Sequence, residues 1–533
     1  MPELSSVDRS TSPAQIVFPR QYNAAFDLLQ RNLRAGRAAK AAFIDDAGSC
    51  TFGELDQRAQ RFANAITALG VEPEQRVLLC MLDSIDWPVA FLGCILAGVV
   101  PVAANTLLTT DDYEYMLRDS RARALLVSDA LWPRLEPLMG KIPGLQHVVV
   151  SGEITGSSAV PRLSFSQLLA AAGDQFEAAQ TSPDEPCFWL YSSGSTGAPK
   201  GTLHIHSSLI TTAELFAIPV LGLREDDLVF SAAKLFFAYG LGNGLTFPMA
   251  VGATALLMAE RSTPASVFKR LRELRPTIFY GVPTLFAALL VSPELPAKGE
   301  LRMRLCTSAG EALPAVIGKR WTEHFGVEIL DGIGSTEMLH VFLSNRAGRV
   351  RYGTTGQAID GYELRILDEQ GRMPALGEVG ELQVSGATAA MGYWNNREKT
   401  RDTFQGPWTR CGDKYSVDAD GYYTYAGRSD DMLKVGGIYV SPIEVESALV
   451  SHPAVLESAV IGRADDAQLV KPQAFVVLRA GIKASDALAM ELQQHVKAKL
   501  APYKYPRWIE FIDELPKTAT GKIQRFKLRA RVA

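Results

Sequence analysis

Apolar residues recur along this chain with two alternating textures. At 55–69, Leu55, Ala59, Phe62, Ile66 and Leu69 stand three or four positions apart, the spacing that lines one face of a helix. A strand-like run, Arg-Val-Leu-Leu-Cys, follows at 76–80, and 122–127 and 147–150 read as further buried strands. Helical and strand patterns alternate in this way up to about residue 430, which predicts βαβ units and mainly parallel sheets. From 353 to 425 the pattern changes to alternating runs at 363–367 and 380–385 with glycine-rich turns between them, as in a small antiparallel subdomain or barrel. The segment 427–437 is charged and then glycine-rich, which suits a linker or hinge. The last hundred residues then read as helix (441–451), strand (456–461), strand (473–478), helix (484–499) and a basic tail.

Two uncharged windows, 87–110 and 235–259, exceed the ~20 residues that span a bilayer. Pro88, Gly93, Gly98 and Pro101 divide the first into a short helix near 88–97 and a strand near 99–103. Gly240, Gly242, Gly244, Pro248 and Gly252 punctuate the second as turns. Both windows therefore read as buried helix–strand pairs rather than membrane spans. A length of 533 residues suggests two to four domains. With 54 Lys and Arg against 58 Asp and Glu, a broad basic nucleic-acid surface is not expected. A 47% hydrophobic and 21% charged composition excludes disorder as the main state. The six cysteines, Cys50, Cys80, Cys94, Cys187, Cys306 and Cys411, form no C-x-x-C pair and read as scattered reduced thiols of a cytoplasmic protein. The polar N-terminus lacks the apolar core of a signal peptide.

The densest chemistry lies at 191–201, Tyr-Ser-Ser-Gly-Ser-Thr-Gly-Ala-Pro-Lys-Gly, directly behind the apolar run 187–190. Ser192, Ser193, Ser195 and Thr196 supply four hydroxyls, Gly194 and Gly197 let backbone N–H groups turn inward, and Lys200 adds a positive charge. Such a loop can wrap a polyphosphate. It is not a Walker A loop, because Gly197 is followed by Ala198 rather than lysine.

This run resembles the phosphate loop of the adenylate-forming superfamily, which comprises acyl- and aryl-CoA synthetases, peptide-synthetase adenylation domains and beetle luciferases. Four further segments match in order: Asp-Gly-Ile-Gly-Ser-Thr-Glu at 331–337, Thr-Arg-Cys-Gly-Asp at 409–413, the 427–437 segment, and Pro-Lys-Thr-Ala-Thr-Gly-Lys at 516–522. The resemblance covers nearly the whole chain. It implies an α/β fold: a large N-terminal domain (1–429) of βαβ subdomains plus a small β-barrel-like subdomain, and a small mobile α+β C-terminal domain (430–533). ATP and CoA are then co-substrates and Mg²⁺ the cofactor.

The resemblance also implies roles. Lys522 would bridge the acyl carboxylate and the α-phosphate, screening two anions that must meet. Glu337 would hold Mg²⁺, for which one protein carboxylate with substrate phosphates suffices, and Thr336 would contact phosphate. Gly310, Glu311, Asp331 and Gly332 would line the nucleotide site. Asp413 would accept from the ribose hydroxyls and Arg428 would contact phosphate or ribose. Asp430 would be the hinge of a rotation that brings Lys434 and the narrow Gly436-Gly437 backbone to the site for thioester formation with CoA.

By the same resemblance, Phe236, Ala238, Tyr239, Tyr280, Ala309, Ile333, Gly334 and His340 line the acyl pocket. No Asp or Glu falls between Lys234 and Asn243, which disfavours an amino acid substrate with its ammonium group. The strings at 234–240 (Lys-Leu-Phe-Phe-Ala-Tyr-Gly) and 335–340 (Ser-Thr-Glu-Met-Leu-His) resemble the benzoate-CoA ligase branch. The expected partner is thus a small aryl carboxylate, with hydroxybenzoate, aminobenzoate or a medium-chain fatty acid as alternatives. A light-emitting oxidase or a non-catalytic nucleotide binder is disfavoured, the second because Lys200, Glu337, Asp413 and Lys522 are all present. No nucleic-acid or membrane partner is expected, and a monomer or homodimer is.

Overall fold

The computed structural model describes residues 2–156, 158, 160–192, 199–428, 431–435, 438–465, 469–517 and 523–532, the side chains of Lys434, Ile438, Tyr439 and Pro502 excepted. Among these, eight strands form one sheet, in the order Gly392–Tyr393, Lys200–Ile205, Pro186–Ser192, Val100–Ala103, Arg76–Cys80, Ala124–Ser128, His147–Ser151 and Leu163–Ser164. The last six are parallel neighbours, and the first two add antiparallel pairs at one edge. A second, nine-stranded sheet has a parallel centre running from Ile329–Gly334 through Leu305–Ser308, Ile278–Gly281, Leu228–Ser231 and Thr254–Leu256 to Ala41–Asp45.

Strand residues alternate between two buried faces, which explains their unbroken apolar runs. Val77 and Leu79 join one core cluster and Leu78 and Cys80 another. In the second sheet Ile278 and Tyr280 join the cluster shared with the first sheet, while Phe279 faces the opposite cluster. The shared core is filled by helices such as Phe52–Ala68, started by a capping box between Thr51 and Glu54 and burying Leu55, Ala59, Phe62 and Ile66. The first uncharged window folds as expected, into the helix Asp86–Leu96 and the strand Val100–Ala103. Among the described residues, no helix is long and apolar enough to cross a membrane.

The second window differs in one respect. Gly240, Gly242 and Gly244 do not make turns. They lie in the helical stretches Ala238–Leu241 and Gly242–Thr246, the second containing a wide turn closed from Phe247 N–H to Gly242 O. Their reason is proximity: a Cβ on Gly240 would overlap the Lys234 carbonyl, and one on Gly242 would overlap the His340 ring. Only Gly252, at φ 79°, ends the helix Phe247–Val251 as a left-handed cap.

The change of texture after 353 corresponds to an antiparallel sheet of Tyr362–Leu367, Gly380–Gly386, Trp408–Val417, Phe404–Gln405 and Tyr423–Arg428. Beyond it, the strands Val455–Ala464, Val470–Leu478 and Trp508–Phe511 pack with the helices Pro442–Val450 and Asp486–Lys499. The buried apolar residues from Leu433 onward form clusters of their own, and the three clusters of the larger part take no residue from this region. The strand Trp508–Phe511 and the helix Arg525–Arg529 were not anticipated from sequence.

Candidate active site

The parallel strands of the second sheet end at Ser231, Gly281, Ser308 and Gly334, and most expected acyl-site residues sit at or just beyond these carboxyl ends. This is where ligands bind in open α/β sheets. Tyr280 pairs in register with Thr307, and Ser308 with Asp331. Tyr239, from the loop and helix after Lys234, shares a hydrogen bond of 2.5 Å with the Thr307 hydroxyl and packs edge-on against Tyr280 with ring centres 6.4 Å apart. His340 lies buried between Phe216, Tyr239 and Phe247, at ring distances of 5.4, 5.6 and 4.4 Å. Its Nε2 faces the Tyr239 carbonyl at 3.3 Å, and burial pushes the imidazole down to about 3, so it is neutral at ordinary pH. Phe236 and Ala309 are buried; Ala238 and Ile333 are half-buried against the same core.

Among the described residues, the buried Tyr280 Oη and His340 Nδ1 have no hydrogen-bond partner, while Ser308 leans on Asp331 and Asn243, one turn after Tyr239, leans on the Tyr239 hydroxyl. Orphaned polar atoms are expensive in a dry core and are commonly kept for a ligand or water. Burial holds the Asp331 carboxyl well above the usual carboxylate range, opposed by the Leu313 N–H at 3.5 Å. Asn243, Thr307 and Ser308 fall within segments, 234–243 and 307–311, that the resemblance places on the pocket wall; the hydroxyl of Tyr239 and the register with Tyr280 and Asp331 single them out.

The expected phosphate loop joins Pro186–Ser192 to Lys200–Ile205, with Ser192 opposite Lys200 in the antiparallel register. Ser193, Gly194, Ser195, Thr196 and Gly197 lie outside the described residues. Ser192 Oγ is buried without a partner among the described residues. The Lys200 ammonium lies 4.6 Å from the centre of the Tyr393 ring; burial lowers its pKa, and Glu337 opposes that shift. Tyr191, just before the loop in sequence, donates to Asp119 at 2.7 Å, and Trp394 Nε1 donates to the Asp119 carbonyl at 2.9 Å.

After Gly334 the chain turns tightly, with Leu339 at φ 66°, and carries Thr336 and Glu337. The Tyr393 hydroxyl donates to Glu337 Oε1 at 2.7 Å, and His204 Nε2 meets the Thr336 carbonyl at 2.8 Å. Gly310, at φ 94°, is exposed and Glu311 half-buried on the segment after Leu305–Ser308, and Gly332 lies within Ile329–Gly334.

Asp413 and Arg428 are partners across adjacent strands, with Arg428 Nη1 on Asp413 Oδ1 at 3.1 Å. The Asp413 charge raises the Arg428 pKa against the cost of burial. Tyr425 Oη also reaches Asp413 Oδ1 at 3.4 Å. Asp430, Gly436, Gly437, Lys522 and the Lys434 side chain lie outside the described residues. The backbone of Leu433–Val435 pairs antiparallel with Ile438–Val440.

Residues 29–394 match the family model of AMP-binding enzymes, and residues 444–522 match that of the AMP-binding enzyme C-terminal domain. The chain belongs to the AMP-binding enzyme family. This AMP-binding enzyme is 63% identical to the benzoate–CoA ligase of Thauera aromatica, over 99% of each chain. It is 49% identical to a 4-hydroxybenzoate–CoA/benzoate–CoA ligase of Rhodopseudomonas palustris, over 96% of this chain and 94% of the relative. Among solved structures, it resembles a benzoate CoA ligase from Burkholderia xenovorans at 58% identity and a TM-score of 0.89, covering 95% of this chain and all of the other. It also resembles an anthranilate CoA ligase in complex with anthranoyl-AMP at 47% identity and a TM-score of 0.93, covering 97% and 98%.

Proposed function

We propose that this AMP-binding enzyme is an AMP-forming aryl acid–CoA ligase whose main acid is benzoate. A benzoate oxygen attacks the α-phosphorus of ATP, expelling pyrophosphate and leaving benzoyl-adenylate. The thiol of CoA then attacks the acyl carbon, the C–O bond to AMP breaks, and benzoyl-CoA forms as the thiol proton is lost. The observation that carries this reading is 63% identity to a benzoate–CoA ligase along the whole chain. The apolar ring cage around neutral His340 supports it, since a flat uncharged ring meets aromatic walls there and no opposing carboxylate comes from the 234–243 segment.

In this reading Ser192–Gly197 and Lys200 cradle the phosphates, Asp413 holds the ribose, Arg428 braces Asp413 and reaches the nucleotide, and Gly310, Glu311, Asp331 and Gly332 line the purine and phosphate side. Glu337 suits magnesium arriving with ATP. It offers a hard oxygen, no hydrogen bond from the described residues reaches its Oε2, and no group of three or more His, Cys, Asp or Glu there could cage a resident metal. Magnesium bound there neutralises phosphate charge. Lys522 screens the carboxylate from the α-phosphate during the first step. Rotation of the 430–533 domain at Asp430 then brings Lys434 and Gly436-Gly437 to the CoA thiol. The protein works in the cytoplasm as a monomer or homodimer, consistent with six buried free cysteines.

The Tyr280 Oη and His340 Nδ1, which no described residue pairs, favour a second acceptance, of hydroxy- or aminobenzoate, because each could meet a ring substituent. Purified protein with Mg·ATP and CoA should form AMP and acyl-CoA with benzoate fastest, with hydroxy- and aminobenzoates next, and octanoate slowest. Turnover of octanoate alone would remove the aryl reading, and no AMP formation with any of the acids would remove the ligase reading.

A further inference from the structure

Glu337 is held by a part of the chain remote in sequence. Tyr393 lies on the short edge strand Gly392–Tyr393, paired antiparallel with Lys200–Ile205 so that Thr202 opposes Tyr393 and Leu203 opposes Gly392. Its N–H donates to Thr400 Oγ1 at 3.0 Å, which fixes the residue from the other side. Its hydroxyl then donates to Glu337 Oε1 at 2.7 Å, while the face of its ring meets the Lys200 ammonium at 4.6 Å. The same strand, Lys200–Ile205, also carries His204, which is fully buried, stacked on Phe188 at 5.1 Å, and donates from Nε2 to the carbonyl of Thr336, the residue before Glu337. One strand therefore fixes the peptide before Glu337 directly, and its carboxylate through Tyr393.

We propose that Tyr393 is a positioning residue for the magnesium form of ATP: by occupying Oε1 it holds Glu337 with Oε2 presented to the metal and keeps the carboxylate from collapsing onto Lys200. This rests on the reading of Glu337 as the metal-facing carboxylate. A hydrogen bond from a neutral hydroxyl orients a carboxylate without consuming its charge, whereas an ion pair with Lys200 would withdraw both groups from the phosphates. His204 acts in the same sense on the backbone, since a carbonyl fixed at residue 336 limits where the next side chain can point.

Tyr393→Phe keeps the ring over Lys200 and removes only the hydroxyl. Calorimetric titration with α,β-methylene-ATP, without acid or CoA, reads binding apart from turnover. With magnesium present, the Y393F dissociation constant should rise about 10-fold or more, and with EDTA it should change by less than about twofold. Unchanged binding in magnesium, or equal weakening with and without it, would overturn the proposal. Glu337→Gln separates the two claims: if E337Q leaves the magnesium dependence intact, the metal reading of Glu337 falls, and if E337Q abolishes it while Y393F does not, only the Tyr393 role falls. Should Y393F fail to fold, Y393M, which also lacks the hydroxyl, should show the same loss confined to the magnesium form.

Discussion

Asp83 accepts the backbone N–H of Leu235 through both carboxylate oxygens, at 3.3 and 3.2 Å. This ties the chain just beyond the first-sheet strand Arg76–Cys80 to the start of the segment that carries Phe236, Ala238 and Tyr239. Asp83 is fully enclosed, and burial raises its carboxyl to about 6, against the pull of the Lys234 charge and the Leu235 N–H. Lys234 turns its ammonium to the carbonyls of Met258 and of Glu260, the latter at 2.6 Å.

The first prediction follows from that raised value. Below about pH 3.8 Asp83 is neutral in both states. Between about 3.8 and about 6 the folded protein keeps a proton that the unfolded chain has lost, so the contribution of Asp83 to stability falls as pH rises and levels off above 6. A shift of this size corresponds to about 3 kcal/mol across that window. Asp83→Asn lacks the titration and should gain on the wild type from pH 4 to 7 in thermal unfolding midpoint. A pH-independent difference between the two would remove Asp83 as the cause.

Gly242→Ala places a methyl group against the His340 ring. Overpacking of this kind costs about 1–3 kcal/mol, and the displaced ring forms part of the expected acyl wall. The variant should raise KM for benzoate severalfold while leaving KM for ATP near the wild-type value. Equal changes in both constants would indicate general loosening instead.

Asp413→Ala removes the partner of Arg428 along with the expected ribose anchor. Losing charge-assisted hydrogen bonds of about 1.5–3 kcal/mol should lower kcat/KM for ATP by about 10- to 100-fold. Pyrophosphate exchange at varied ATP measures it, and an unchanged value would unseat Asp413 as the ribose contact.

Lys522→Ala should abolish benzoyl-adenylate formation but leave thioester formation from synthetic benzoyl-adenylate and CoA largely intact, because the lysine charge is needed only where two anions meet. Single-turnover measurement of each half-reaction decides the point, and full overall activity in the variant would remove the assignment.

The sequence alone determined what local chemistry can encode. Buried strands such as Arg76–Cys80 and His147–Ser151 were legible because both faces are covered and their apolar runs are unbroken, and the helix Phe52–Ala68 because one face is apolar at helical spacing. The candidate phosphate loop at 191–201 and the 331–337 and 409–413 segments stand out in the sequence because each concentrates hydroxyls, glycines or a carboxylate within a few residues. Tertiary structure alone decided the contacts made across long separations. Tyr393 reaches Glu337 across 56 positions and His204 reaches Thr336 across 132, and neither stands in a local pattern that announces it. Gly240 and Gly242 read as turns, yet they sit in a helix because the Lys234 carbonyl and the His340 ring press against it. A sequence records which backbone a residue prefers; what leans on that backbone is set by packing between segments far apart in the chain, and that packing places Asp83, Asn243 and Tyr393 around the site.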